Sequence, residues 1–120
     1  MEMLINGFDL IEIDRIANSM NNPRFLTRVF SDEELALFES RKFAVQTIAA
    51  NFAAKEAFSK ALGTGLRGYA LREVSVLRNE LGAPYFFLSG NAKKLCEGIE
   101  LSLSLSHTDT LAAAFVVGNN

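Results

Sequence analysis

The chain has 120 residues, of which 49% are hydrophobic and 22% charged, and its formal net charge is -2. We expect a chain of this length and composition to form one folded domain, residues 1–120, neither disordered nor fibrous. The negative balance argues against a general nucleic-acid binder, and no apolar run approaches the roughly 20 residues that span a membrane.

The N-terminus and the cysteine content both bear on the cellular compartment. No basic stretch followed by a long apolar region opens the chain, so nothing in the sequence suggests export. Cys96 is the only cysteine and has no partner for an intramolecular disulfide, so we expect it to be buried and inert. Both observations favour a cytoplasmic protein.

The N-terminal third is predicted to form a strand, a helix, a turn and a second helix. Residues 3–9 are apolar and β-compatible, whereas Leu10 to Met20 has helical character until an Asn-Asn-Pro sequence interrupts it. Ser31 followed by Glu34 forms a capping box, which predicts a helix over Asp32 to about Lys42.

The middle of the chain contains the clearest helix. Gln46 to Leu62 is rich in alanine, lacks glycine and proline, and ends before Gly63, a residue type preferred just past a helix end. Two strands are predicted at Leu71 to Arg78 and Tyr85 to Ser89, because they flank the turn-forming sequence NELGAP at 79–84.

The C-terminal third is predicted to form a short helix and a hairpin. The helix covers about Asn91 to Glu97, and the strict alternation LSLSLS at 101–106 predicts a strand. A second strand follows at Leu111 to Val117, with His107 at the turn. The fold class is therefore α+β, a single domain with a mostly antiparallel sheet packed against helices.

Two acidic side chains fall among apolar neighbours. Asp9 shares strand parity with Ile5 and Ile11, so it points to the apolar side if the strand continues. If the strand ends near Gly7 instead, Asp9 caps the following helix. Glu56 lies on the long helix, which is apolar around so much of its circumference that it should be substantially buried.

Lys60 follows Glu56 by one helical turn and allows two interpretations. A helical ion pair between them would contribute about 0.2–0.5 kcal/mol. Alternatively, Asp9 and Glu56 hold Mg²⁺, which typically takes one or two carboxylates together with phosphate oxygens and water, and Lys60 neutralises a phosphate. The spacing of these residues leaves both interpretations open.

Three further features each have a structural explanation. His107 is the only histidine, and a lone histidine is more often structural than catalytic. The Gly-Thr-Gly segment at 63–65 can offer backbone amides to a phosphate, but a helix end explains it equally well. The basic stretch Arg15, Arg24 and Arg28 has no acidic residue within it, and its simplest interpretation is a solvated helix face.

Three segments together resemble the holo-(acyl-carrier-protein) synthase family in identity, order and spacing. They are GFDLIEIDRI (Gly7 to Ile16), NFAAKEAFSKALGTG (Asn51 to Gly65) and SLSHTDTLAAAFVV (Ser104 to Val117). The resemblance covers nearly the whole chain. It implies the 4'-phosphopantetheinyl transferase fold, assembled as a homotrimer with active sites in the clefts between neighbouring subunits.

The resemblance also implies a reaction and the residues that perform it. Such an enzyme transfers 4'-phosphopantetheine from coenzyme A to a serine of apo acyl carrier protein in fatty-acid biosynthesis, releasing adenosine 3',5'-bisphosphate. By resemblance, Asp9 and Glu56 bind Mg²⁺, and Lys60 joins them in catalysis. Lys60, His107 and Gly65 would face coenzyme A. The acceptor of the serine proton stays open between Glu56 and a water on the metal.

The basic stretch acquires a partner from the same resemblance. Carrier proteins of this system are acidic, so Arg15, Arg24 and Arg28 would contact the carrier, with Met20 supplying apolar surface. Two other functions fit the same residues. One is a Mg²⁺-dependent hydrolase of a nucleotide or pyrophosphate, and the other is a non-catalytic module that binds an acidic helical partner.

One residue departs from the family pattern. Family members commonly carry arginine immediately before the Phe-Ala of the second segment, where this chain has Asn51. If that arginine assists phosphate binding, the contact is lost or another cation replaces it. The candidates from the sequence are Arg41, Lys42 and Lys55.

Overall fold

A long helix lies across a three-stranded antiparallel sheet, in a computed structural model that describes residues 3–63, 65 and 67–119. The sheet has the strand order β1-β5-β4, and β2 and β3 form a separate antiparallel pair. The α+β fold class is confirmed. In chain order the elements are β1 (Leu4–Glu12), α1 (Ile13–Ser19), α2 (Phe25–Val29), α3 (Asp32–Ser40), α4 (Val45–Leu62), a 3₁₀ helix (Leu71–Glu73), β2 (Val74–Arg78), β3 (Pro84–Leu88), α5 (Gly90–Leu95), β4 (Glu100–His107) and β5 (Leu111–Asn119).

The first strand is longer than predicted. β1 continues to Glu12, so the predicted helix from Leu10 is wrong at its start and begins at Ile13. A tertiary contact explains the difference, since every residue of β1 pairs with β5 at the other end of the chain. Asp9 lies inside this ladder opposite Ala114, which excludes the interpretation of Asp9 as a helix cap.

The long helix α4 confirms the prediction to within one residue. Its alanines Ala53, Ala54 and Ala57 are fully buried, since small side chains allow the helix to lie close to the sheet. The helix ends at Gly63, whose φ of 73° lies in the left-handed region and whose amide donates to the Ser59 and Lys60 carbonyls.

Gly7 determines how closely β1 approaches α4. A Cβ atom at this position would lie 2.0 Å from the Ala57 carbonyl oxygen, far inside contact distance. Only a residue without a side chain therefore allows the two backbones to touch here. This contact brings Asp9, two residues further along the strand, beside the last turns of α4.

The remaining predictions hold with local adjustments. The Ser31–Glu34 capping box is confirmed at the start of α3, and Cys96 is buried as expected. The sequence did not predict α2, and the first residues of the predicted strand at Leu71 form the 3₁₀ helix instead. None of the helices in the described part of the chain is both long and apolar enough to cross a membrane.

Candidate active site

Asp9 and Lys60 meet where β1 crosses the end of α4. Lys60 Nζ lies 3.2 Å from Asp9 Oδ1 and donates to the Phe8 carbonyl oxygen at 2.9 Å. The Asp9 side chain is 16% exposed and that of Lys60 56%. The described residues contain no ion pair between Glu56 and Lys60, so the helical pair that the spacing allowed is replaced by a pair between two elements.

Glu56 completes a cluster of two carboxylates and one ammonium. Burial raises the pKa of the Glu56 carboxyl, and the negative charge of Asp9 raises it further, whereas Arg15 and Lys60 lower it. The two acids are therefore close enough to repel each other. A cation held by both carboxylates would relieve that repulsion.

The donor set of this cluster fits Mg²⁺. Carboxylate oxygens are the hard ligands that this ion takes, and two of them leave coordination positions for phosphate oxygens and water. Within residues 3–63, 65 and 67–119, no group of three or more His, Cys, Asp or Glu side chains could hold a metal ion. The pair Asp9 and Glu56 therefore fits an ion that would also bind phosphate oxygens and water.

His107 lies apart from this cluster within the single chain. It ends β4 opposite Ala112, while Asp9 is joined through Ala114 to Leu105. β4 and β1 flank β5 on opposite sides, so about 10 Å of sheet separates their backbones. The structure brings Asp9, Glu56 and Lys60 together but does not place His107 among them.

A cleft beside His107 carries positive charge. Arg41, just past the end of α3, and Arg78, at the end of β2, line it together with His107. The described residues that line it include no carboxylate, so the cleft suits an anionic ligand. Arg78 is not predicted from the sequence, because it precedes a hairpin turn and belongs to no recognised motif. The other residues that line the cleft are Gln46, Thr47, Ala50, Gly82, Pro84, Leu105 and Ser106.

Comparison with known proteins decides the family. The family model described as the 4'-phosphopantetheinyl transferase superfamily matches residues 6–116. The chain belongs to this superfamily. A holo-[acyl-carrier-protein] synthase of Clostridium botulinum (strain Eklund 17B / Type B) is 44% identical over 114 residues, which cover 92% of this chain and 93% of that protein.

Solved structures agree with this membership. The holo-[acyl-carrier-protein] synthase from Neisseria meningitidis is similar with a TM-score of 0.86 and 38% identity, covering 95% of this chain and 96% of that one. A synthase from Bacillus anthracis in complex with CoA (3',5'-ADP) has a TM-score of 0.85 and 27% identity, covering 100% and 99%. The predicted family, fold and transferase class are confirmed.

In this phosphopantetheinyl transferase, Lys55 does not replace the family's arginine, so that prediction is wrong. Its side chain is 1% exposed, and its ammonium donates to Glu34 Oε1, the Leu71 carbonyl and the Val74 carbonyl at 2.6, 2.8 and 2.7 Å. An ammonium has three protons, so all of its donors are used inside the core. Asn51 is also fully buried, and its side chain accepts a hydrogen bond from Arg78.

The other predicted residues of the transferase lie at its surface. Arg15, Arg24 and Arg28 are exposed on or next to α1 and α2, whereas Met20 is half-buried and packs against the core. Gly65 has a φ of 61° and lies just beyond α4, with Thr64 and Leu66 on either side outside the described residues. The assignment of these residues to carrier or coenzyme A binding stays a prediction.

Proposed function

We propose that this chain is a Mg²⁺-dependent holo-(acyl-carrier-protein) synthase that transfers 4'-phosphopantetheine from coenzyme A to a serine of apo acyl carrier protein. The observation that carries the proposal is the cluster of Asp9, Glu56 and Lys60 in a chain of this superfamily. Similar synthases with bound coenzyme A support the choice of donor. We place the enzyme in the cytoplasm and its carrier in fatty-acid biosynthesis.

The cluster can stabilise charge on a transferring phosphoryl group. Asp9 and Glu56 would hold Mg²⁺, which when bound would neutralise the negative charge that develops on the pyrophosphate. Lys60 donates to the Phe8 carbonyl and to Asp9, which leaves a third ammonium proton for an incoming phosphate oxygen. Its ammonium would then supply a second positive charge to assist departure of the leaving group.

The reaction requires one proton acceptor. The serine oxygen bonds to the β-phosphorus of coenzyme A, the bond from that phosphorus to the bridging oxygen breaks, and adenosine 3',5'-bisphosphate leaves. Lys60 already neutralises Asp9, whereas Glu56 has no cation within ion-pair distance among the described residues. Glu56 is the residue of this chain that could accept the serine proton, and a water molecule is the alternative acceptor.

Release of adenosine 3',5'-bisphosphate distinguishes the proposal from its rivals. A transferase releases this product from coenzyme A only when apo carrier protein is present. A hydrolase that uses the same carboxylates releases it, or phosphate, without any carrier. A non-catalytic module releases nothing under either condition. Release that does not depend on the carrier would overturn the proposed transfer.

We further propose a homotrimer whose active sites lie between subunits. The sheet face turned away from α4 exposes Phe8, Leu10 and Phe115, an apolar surface typical of an interface. A shared site would also explain why His107 and its cleft lie apart from Asp9 and Glu56 in one chain. A neighbouring subunit would then bring its cleft to the carboxylates.

Light scattering tests this assembly. We expect a particle of three 13.2 kDa chains, and Phe115→Asp should yield monomers without transferase activity, because a charge on this face opposes its burial. Phe87→Asp, at an exposed position of β3, serves as the matched control. A fully active monomer would contradict the shared site.

The basic stretch predicts a selective effect on the carrier. Arg15 lies close enough to Glu56 to lower its pKa, so Arg24→Glu with Arg28→Glu tests docking without altering the catalytic cluster. We expect the KM for carrier protein to rise about 10-fold, because complementary charges steer an acidic partner. The KM for coenzyme A should stay unchanged.

The control for docking is the same charge reversal on another helix. Lys93→Glu with Lys94→Glu changes two exposed lysines of α5. This variant should keep both KM values. Equal increases of both KM values in the arginine variant would show that the basic stretch does not bind the carrier.

A further inference from the structure

A buried asparagine of α4 holds an arginine of another element. Asn51 Oδ1 accepts a hydrogen bond from Arg78 Nη2 at 2.8 Å. The Asn51 amide donates to Glu34 Oε2 and to the Val76 carbonyl oxygen, both at 3.0 Å. Because both amide protons meet acceptors, the orientation of the amide is determined, and its oxygen must face Arg78.

Glu34 is itself held in place from two directions. Its Oε1 accepts from Lys55 Nζ at 2.6 Å and from the Ser31 amide at 3.1 Å. Oε2 is thereby turned toward Asn51. A continuous buried network therefore runs from Lys55 through Glu34 and Asn51 to the guanidinium of Arg78, so the network restricts where that guanidinium lies.

No carboxylate of the described residues lies within ion-pair distance of the Arg78 guanidinium. Its polar partners among the described residues are Asn51 Oδ1 and the Leu77 carbonyl, and no ion pair involves it. Burial and then the nearby Arg41 lower the pKa of Arg78 to about 10, with Glu34 acting in the opposite direction. The side chain stays cationic at neutral pH, and a bound anion would stabilise it.

Arg78 connects the buried Asn51 to the charged cleft. Arg78 lines the cleft with Arg41 and His107, and its guanidinium touches the end of the Asn51 side chain. An arginine at position 51 would extend beyond the place where Asn51 ends, into the region that this guanidinium fills. The guanidinium that Asn51 holds therefore reaches the cleft from β2.

We propose that Arg78 binds a phosphate group of the coenzyme A substrate, with Asn51 as the residue that positions it. This inference rests on the proposed function, since it names a binding residue for that reaction. Arg78 supplies two or more N–H donors in a fixed fork, which matches the geometry of a phosphate. Of the cations considered from the sequence, Arg41 lines the same cleft, so the two arginines would share the anion.

Calorimetric binding of coenzyme A tests the inference directly. Arg78→Met should raise the Kd for coenzyme A about 10- to 100-fold, which corresponds to the loss of one hydrogen bond to a charged group. The KM for carrier protein should stay unchanged. Lys93→Met removes an equal charge from α5 and should bind coenzyme A like the wild type. Arg78→Lys keeps the charge without the fork and should give an intermediate Kd.

The exchange variant Asn51→Arg with Arg78→Asn distinguishes the loss of a phosphate contact in Arg78→Met from a loss of folded structure. It returns the guanidinium to the cleft from α4, so it should recover most of the affinity that Arg78→Met loses. Dephospho-coenzyme A then identifies the phosphate. If the effect of Arg78→Met vanishes with this ligand, Arg78 binds the 3'-phosphate, and if the effect persists, it binds the pyrophosphate.

Failure of the Arg78 assignment and failure of the proposed function give different results. A folded Arg78→Met variant that binds coenzyme A as tightly as the wild type would overturn the role of Arg78 and leave the transferase proposal standing. A wild-type protein that binds no coenzyme A would overturn the proposed function itself.

Discussion

Glu56→Gln should lower kcat for phosphopantetheine transfer by about 1,000-fold or more while the protein stays folded. The amide keeps the shape of the side chain but loses the charge that holds a cation and the basicity that accepts a proton. Asp9 and Lys60 keep their contact, so the junction of β1 and α4 is preserved. The measurement is a transfer assay with radiolabelled coenzyme A.

The stability of this variant provides a second readout. Burial and Asp9 disfavour the ionised form of Glu56 in the folded protein, since both raise its pKa. A neutral amide removes that penalty, so the melting temperature should be equal to or higher than that of the wild type. Glu97→Gln, at an exposed position after α5, is the matched control and should keep full activity. Wild-type turnover in Glu56→Gln would refute the assignment of the metal site.

Lys55→Met should destabilise the fold by about 3–5 kcal/mol. The Lys55 ammonium binds Glu34 and two backbone carbonyls, and both charged side chains are almost completely buried. Methionine keeps most of the apolar stem, so the loss isolates the charge. Glu34 would then remain in the core without a cation, which is far more costly than the absence of both charges. Urea unfolding measures the change.

The double variant Lys55→Met with Glu34→Gln tests the cause. The glutamine removes the unpaired charge and can still accept a hydrogen bond from Asn51, so part of the lost stability should return. Lys42→Met removes an exposed lysine and should change stability little. A loss below about 1 kcal/mol in Lys55→Met would mean that the buried pair does not stabilise this core.

Local sequence signals predict the long helix and identify two acidic residues among apolar neighbours. The alanine-rich segment that ends at Gly63 folds as α4 because its composition and its end signal agree. Glu56 looked out of place on a helix that should be buried, and the raised pKa of its carboxyl reflects the same conflict. Strand parity gives one of two positions for Asp9, and the pairing of Asp9 with Ala114 in the ladder decides for it.

Local sequence patterns do not predict contacts between distant parts of the chain. Helical spacing allows Glu56 as the partner of Lys60, yet Lys60 pairs with Asp9, 51 residues away, because β1 contacts α4 closely at Gly7. Likewise, Arg78 meets Asn51 across 27 residues, and no motif connects them. The strand β1 continues past its predicted end, because its pairing with β5 outweighs the helical pattern after Leu10.

Intact mass spectrometry of the carrier protein tests the central claim most directly. The enzyme is mixed with apo acyl carrier protein, coenzyme A and Mg²⁺, and the mass of the carrier is followed with time. We predict the gain of a single phosphopantetheine group on a serine, which chelation of Mg²⁺ or the Glu56→Gln substitution prevents. A carrier of unchanged mass, with coenzyme A hydrolysed or merely bound, would contradict the account.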